Sequence, residues 1–173
     1  AAHALDHLAR VQPKLRVIYA SSAHVYGSGA GIKREDEELR PESAYGLSKQ
    51  LCEVWARARD RELGVGVVRA FNQIGPGMQE GLLIPDLLHA LQSGSGPVMM
   101  RGTDSTRDFL DVRDGVEALA LLLRGEAPSG SIFNLCSGRG QRVSELAHGL
   151  MERLGVEREI RFQSGTPPPL VGD

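Results

Sequence analysis

Two short apolar runs that do not alternate with polar residues constrain this chain more than any other feature. Val17-Ile18-Tyr19-Ala20 and Gly66-Val67-Val68-Arg69-Ala70-Phe71 have the pattern of strands covered on both faces, as in a parallel sheet, rather than that of an antiparallel sheet with one wet face. Each run follows a helical pattern. Residues 3–10 carry apolar or small side chains at helical spacing, and good helix formers run from Pro41-Glu42-Ser43 to about Leu63, with Ser43 as N-cap and Gly64 at the end. Helix, strand, helix, strand predicts an α/β fold with parallel strands. Ser131-Ile132-Phe133-Asn134-Leu135 reads as a third strand of the same sheet. Three strands would leave an open edge, so more of the sheet is expected upstream, in keeping with a chain that opens in mid-helix without Met.

After Phe71 the rhythm breaks at the turn-rich Asn72-Gln73-Ile74-Gly75-Pro76-Gly77. An apolar helix near Leu82–Gln92, a short strand at Pro97–Arg101 and a polar stretch from Gly102 to Arg107 come next. Asp111 or Asp114 can cap a helix to about Leu123, Ser144 can cap a last helix to about Leu154, and Ile160–Phe162 reads as a small strand. Phe71, Phe109, Phe133 and the leucines of residues 119–123 are assigned to the core. Gly27 to Arg40, glycine-rich and then acidic, reads as a solvated excursion rather than a cation site.

Several function classes drop out. A net charge of −2, from 20 basic and 22 acidic residues, provides no field for holding a nucleic acid. Cys52 and Cys136 have neither metal-ligand nor disulfide-framework spacing. No metal is expected. No run approaches the roughly 18 apolar residues of a membrane span, and no signal core opens the chain, so a cytoplasmic location is expected.

Tyr45-Gly46-Leu47-Ser48-Lys49 sets a phenol and an ammonium four residues apart, on one helix face about one turn from each other. A neighbouring cation favours the phenolate over the phenol, as a proton shuttle at a carbonyl requires. Such pairs also arise by chance on helix surfaces, and context is what makes this one specific. Ser21-Ser22-Ala23-His24-Val25-Tyr26-Gly27 closes a strand at its carboxyl end, where open α/β sheets bind ligands, and supplies a hydroxyl that can polarise the same oxygen. Arg69 ends a strand near that region, either beside a cofactor or as an ion pair anchoring the helix beneath.

SSAHVYG, PESAYGLSK, VVRAFNQIGPG, TRDFLDVRD and IFNLCSG follow one another in an order and spacing that resembles the extended short-chain dehydrogenase/reductase family of nucleotide-sugar enzymes. Within it, the motifs are most similar to those of reductases of GDP-linked 4-keto-6-deoxyhexoses. The resemblance implies the C-terminal part of a doubly wound, Rossmann-type parallel sheet with an interleaved small α+β substrate domain. Residues 1–72 and 108–138 would form the catalytic portion, and 73–107 and 139–173 the nucleotide-sugar portion. It also implies NADP or NAD as cofactor, a homodimer, and an enzyme in which Ser22, Tyr45 and Lys49 are catalytic. Tyr45 would donate the proton, Lys49 would orient the nicotinamide ribose, and Ser22 would hold the substrate oxygen. Ala20 and Phe71 would line the cofactor with Tyr45 and Lys49. Ser22, Ala23, His24, Asn72 and Leu82 would face the substrate, and Arg107 its diphosphate. His24 stands where similar dehydratases carry an acid, so reduction or 4-epimerisation is expected instead of dehydration. The glycine-rich cofactor turn of the family does not precede Ser22 in this chain. A non-catalytic piece that binds a nucleotide sugar or a partner chain is therefore the alternative.

Overall fold

A computed structural model describes residues 2–12, 15–29, 31–125 and 128–163. In chain order the elements are α1 (Ala2–Val11), β1 (Arg16–Ser22), a 3-10 turn (Ala23–Tyr26), α2 (Ala44–Ala58), β2 (Gly64–Ala70), β3 (Asn72–Ile74), α3 (Leu83–Gln92), β4 (Val98–Arg101), β5 (Thr106–Asp111), α4 (Val112–Leu123), β6 (Ile132–Leu135), β7 (Gly140–Arg142), α5 (Val143–Leu154) and β8 (Ile160–Gln163). They divide between two compact units. The first holds residues 1–73 and 110–136, and the second holds 74–109 and 137–173.

The first unit is built on a parallel sheet of order β1-β2-β6. Arg16 pairs with Gly64 and Ser22 with Ala70, while Val67 pairs with Ile132 and Ala70 with Leu135. Valine-rich β2 is central, and Val65, Val67 and Val68 are each 1% exposed. Burial of each such side chain stabilises by about 1.5–3 kcal/mol. Leu5 of α1 and Ala56 of α2 pack with Leu63 and Val65, joined by Leu8, Val17 and Tyr19. The same two helices are tied at the surface by Asp6, which accepts from Arg59 Nε at 2.9 Å and Trp55 Nε1 at 3.3 Å. On α4, the Leu122 carbonyl accepts from Arg16 Nε of β1.

In the second unit, Leu87 and Leu91 of α3, Val98 and Met100 of β4, and Val143, Ala147 and Met151 of α5 form one buried cluster. Parallel β4 and β8 register Val98 with Ile160 and Arg101 with Gln163. Arg158 closes the end of α3 by donating to the carbonyls of Leu91, Ser93 and Gly96.

Several expectations are corrected. The long helix stops at Ala58 rather than near Leu63. Residues 59–63 instead turn the chain so that Asp60 can accept from Val65 N, and Gly64 opens β2. β1 is not covered throughout: Val17, Ile18 and Tyr19 are half-buried and Ala20 is exposed, and among the described residues β1 pairs with β2 alone. Leu121 and Leu123 lie at 37% and 52% exposure, outside the core. Ser144 does not cap α5. It lies inside the helix, and Asp104 accepts from its backbone N and its hydroxyl. β3 and β7 are three residues each and β5 is mostly polar, so none carries an apolar run that marks a strand in the sequence.

Candidate active site

β1 ends at Ser22, which is 7% exposed. Its hydroxyl oxygen accepts from His24 N at 3.3 Å and so caps the following 3-10 turn. That turn closes at Gly27, where φ is +72° and a Cβ would fall 2.1 Å from the Arg40 carbonyl oxygen. Only glycine lets the chain pass there. The helix that should carry the proton donor begins at Ser43, whose Oγ accepts from Gly46 N at 3.0 Å, as an N-cap should. Gly46 rests on the turn after β1, since a Cβ would come within 2.6 Å of the His24 carbonyl oxygen.

This close approach sets Tyr45 against the same turn. The Tyr45 and His24 rings meet edge to face at 5.4 Å between centroids. One helical turn on, Lys49 Nζ donates to the Ala20 carbonyl at 2.9 Å and lies 5.5 Å from the centre of the Tyr45 ring and 5.7 Å from that of Tyr19. Tyr45 keeps 46% of its surface exposed. A phenol, an ammonium and a hydroxyl thus gather where β1 ends, an arrangement suited to passing a proton to a polarised oxygen.

Below them lies a polar network that sequence reasoning resolved only in part. Arg69, 2% exposed on β2, donates from Nε and Nη2 to the carboxylate of Glu53 on α2, also 2% exposed. Of the two readings of Arg69, the anchoring ion pair is present, and its partner is Glu53. Ser21 Oγ donates to Glu53 Oε1 at 2.5 Å. Arg69 Nη1 donates to Tyr26 Oη at 2.9 Å and to the Glu35 carbonyl at 3.0 Å. Tyr26 Oη in turn donates to Asn134 Oδ1 at 2.7 Å. Burial pushes the Tyr26 phenol above its usual range, against the pull of Arg69. Removing one member of such a buried pair costs about 3–5 kcal/mol, whereas replacing both with apolar groups of similar volume is often neutral. Glu53 was legible in principle: it stands four residues beyond Lys49 and eight beyond Tyr45, and a carboxylate that follows them toward the sheet must find a cation.

The remaining expected residues divide by unit. Because Ser22 pairs with Ala70, Phe71 and Asn72 leave β2 at the same sheet end as Ser22. Phe71 N donates to Leu135 O, its ring lies 6.4 Å from that of Tyr26, and Asn72, half-buried, begins β3. Ala23, half-buried, opens the 3-10 turn. The structure therefore brings Ala20, Ser22, Ala23, His24, Tyr45 and Lys49 together. Leu82 and Arg107 belong to the second unit. Leu82 holds the N-cap position of α3 without a side-chain bond, and Arg107 Nε donates to Ser105 Oγ at 3.2 Å. Among the described residues, no three His, Cys, Asp or Glu side chains cluster as a metal site, and no helix is long and apolar enough to cross a membrane.

Residues 1–136 match the model of the NAD dependent epimerase/dehydratase family. The chain is similar to GDP-6-deoxy-D-mannose reductase of Pseudomonas aeruginosa, at 35% identity over 156 residues, covering 83% of this chain and 50% of that protein. Among solved structures it is similar to RMD from Pseudomonas aeruginosa complexed with NADPH, at 29% identity and a TM-score of 0.83, covering 92% of this chain and 58% of that one. It is also similar to dTDP-glucose 4,6-dehydratase from Bacillus anthracis in complex with NAD, at 26% identity and a TM-score of 0.84, covering 96% and 55%. The chain spans about half the length of the curated relatives it matches.

Proposed function

Because this chain belongs to the NAD dependent epimerase/dehydratase family, we propose that it supplies the reaction centre of an NAD(P)-dependent oxidoreductase that reduces C4 of a GDP-linked 4-keto-6-deoxyhexose. One observation carries the reading: the half-exposed Tyr45, with Lys49 one turn behind it, rests on the turn that Ser22 opens. The relative that acts on a GDP-linked 6-deoxy sugar supports the substrate class. The relatives solved with NADPH and with NAD support a nicotinamide cofactor of either kind.

The residues present fit that cofactor. An ammonium beside a partly exposed phenol at the carboxyl end of parallel strands suits ribose hydroxyls and a nearby carbonyl. When bound, the nicotinamide supplies the hydride. Tyr45 Oη gives its proton to the oxygen on C4, and Ser22 Oγ hydrogen-bonds that oxygen. Lys49 holds the ribose, and its charge favours the phenolate left on Tyr45. Ala20 and Phe71 line the cofactor, Ala23, His24, Asn72 and Leu82 face the sugar nucleotide, and Arg107 pairs with its diphosphate, for which a guanidinium fork is well shaped. His24 supplies no carboxylate for elimination, which favours reduction. The protein acts as a homodimer through α1 and α2, the latter exposing Leu47, Leu51, Val54 and Trp55.

The test is NADPH consumption by the full-length protein with GDP-4-keto-6-deoxymannose, with and without Tyr45→Phe. Loss of the proton donor should lower kcat by roughly 10²–10⁴-fold. An unchanged rate would refute the mechanism.

A further inference from the structure

We propose that Glu53 is a positioning residue that sets the roll of α2 about its own axis and thereby aims Tyr45 and Lys49 at the end of β1. The inference rests on the reaction proposed above. Tyr45, Lys49 and Glu53 succeed one another at intervals of four residues, so each lies one turn further along a stripe that rotates by about 40° per step. The stripe passes from half-exposed Tyr45 to Glu53, which is 2% exposed.

Contacts at three successive levels hold this stripe to the segment that carries Ser22. Gly46 rests on the His24 carbonyl, Lys49 bonds the Ala20 carbonyl, and Glu53 takes the Ser21 hydroxyl. The Gly46 contact fixes which face of α2 meets the turn, and the Lys49 contact is a flexible side chain on a single acceptor. Glu53 differs from both. Its two oxygens are gripped by the planar fork of Arg69, at 3.1 Å to Oε1 from Nε and 2.9 Å to Oε2 from Nη2. Two parallel bonds fix the orientation of the carboxylate as well as its distance. Arg69 cannot swing to follow a rotated helix. Its Nη1 is held by Tyr26 Oη and the Glu35 carbonyl, and the guanidinium stacks 5.0 Å from the centre of the Tyr26 ring. Ser21 immediately precedes Ser22, so one carboxylate joins the strand bearing the hydroxyl to the helix bearing the phenol.

A purely stabilising ion pair and a positioning one predict different things when both charges are replaced. Glu53→Leu with Arg69→Met removes the fork while filling its volume, so the loss of stability should be limited to what Ser21, Tyr26 and the Glu35 carbonyl lose as partners. If Glu53 sets the roll, kcat for NADPH-dependent reduction should fall roughly tenfold or more in this double variant, as displacement by about an ångström can do. KM for the sugar nucleotide should stay within about threefold. The contact between the His24 and Tyr45 rings, read as a nuclear Overhauser effect in cofactor-free protein, should weaken in parallel. Glu53→Gln is the second variant, for use if the double variant does not fold. It keeps the shape but turns an amide toward Arg69 Nη2, and should lower kcat severalfold while weakening the same ring contact. Wild-type kcat with an intact ring contact in the folded variant overturns the proposal. If the unmodified protein consumes no NADPH with this substrate, the proposed reaction fails, while the ring contact still decides the role of Glu53.

Discussion

At Gly27 the backbone adopts φ +72° with the Arg40 carbonyl pressed against the place a Cβ would occupy. Gly27→Ala must both hold a left-handed conformation and push that carbonyl away. We expect it to destabilise by about 1–3 kcal/mol, read as a lower urea midpoint at unchanged slope; a midpoint equal to wild type would show that the turn yields freely. At this scale the sequence was most informative where a chemical group and its spacing coincide. Tyr45, Lys49 and Ser22 are legible because two are four residues apart and the third closes an apolar strand. Tyr26 and Asn134 were not, because their partners come from β2, β6, the 3-10 turn and the loop after Gly27, and contacts between segments so distant leave no periodicity in any one of them.

Among the elements, those with an apolar period were legible and those defined by polar contacts were not. β2 is nearly all valine and glycine inside an α/β rhythm. β5 and β7 instead pair through Thr106 with Arg142 and Arg107 with Gln141, side chains that equally suit a loop. Helix starts show the same division. Ser43 caps α2 and Asp111 caps α4, each bonding a backbone amide two or three residues ahead, whereas α5 borrows Asp104 from a segment forty residues away. The Asp111 cap has a consequence for acid stability. A side-chain hydrogen bond from Arg113 is the main influence holding its carboxyl down to about 2, below the ordinary 3.8. A depressed value means stability that is fully present above the ordinary value and is lost as pH falls through the depressed one. The stability gap between wild type and Asp111→Asn should therefore be constant above about pH 5 and shrink as the solution is taken toward pH 2. A gap that stays constant down to pH 2 would show that the ionised form contributes nothing to α4.

On the scale of the whole molecule, each unit has its own buried cluster, one around Leu63 and Val65 and the other around Leu87 and Leu91. The two-helix surface of the first unit leaves Leu51 at 61% and Val54 at 64% exposure, more apolar area than an isolated helix face needs. For the proposed homodimer we expect sedimentation at twice the chain mass, and a monomer on changing Leu51 and Val54 to lysine; a monomeric wild type would count against it. The excursion after the 3-10 turn adds a practical consequence. It is drawn shut at its base, where Glu42 accepts from Ser28 N at 3.1 Å and from Ser28 Oγ at 2.5 Å beside the Gly27–Arg40 contact, while Ile32 near its tip is 87% exposed. Beyond Ile32 the segment is anchored again, the Lys33 carbonyl accepting from Asn134 Nδ2 at 2.9 Å and the Glu35 carbonyl from Arg69 Nη1 at 3.0 Å. Ile32 therefore stands between two anchors, and a fluorophore attached there would report on a segment joined through Asn134 and Arg69 to the network beneath Tyr45.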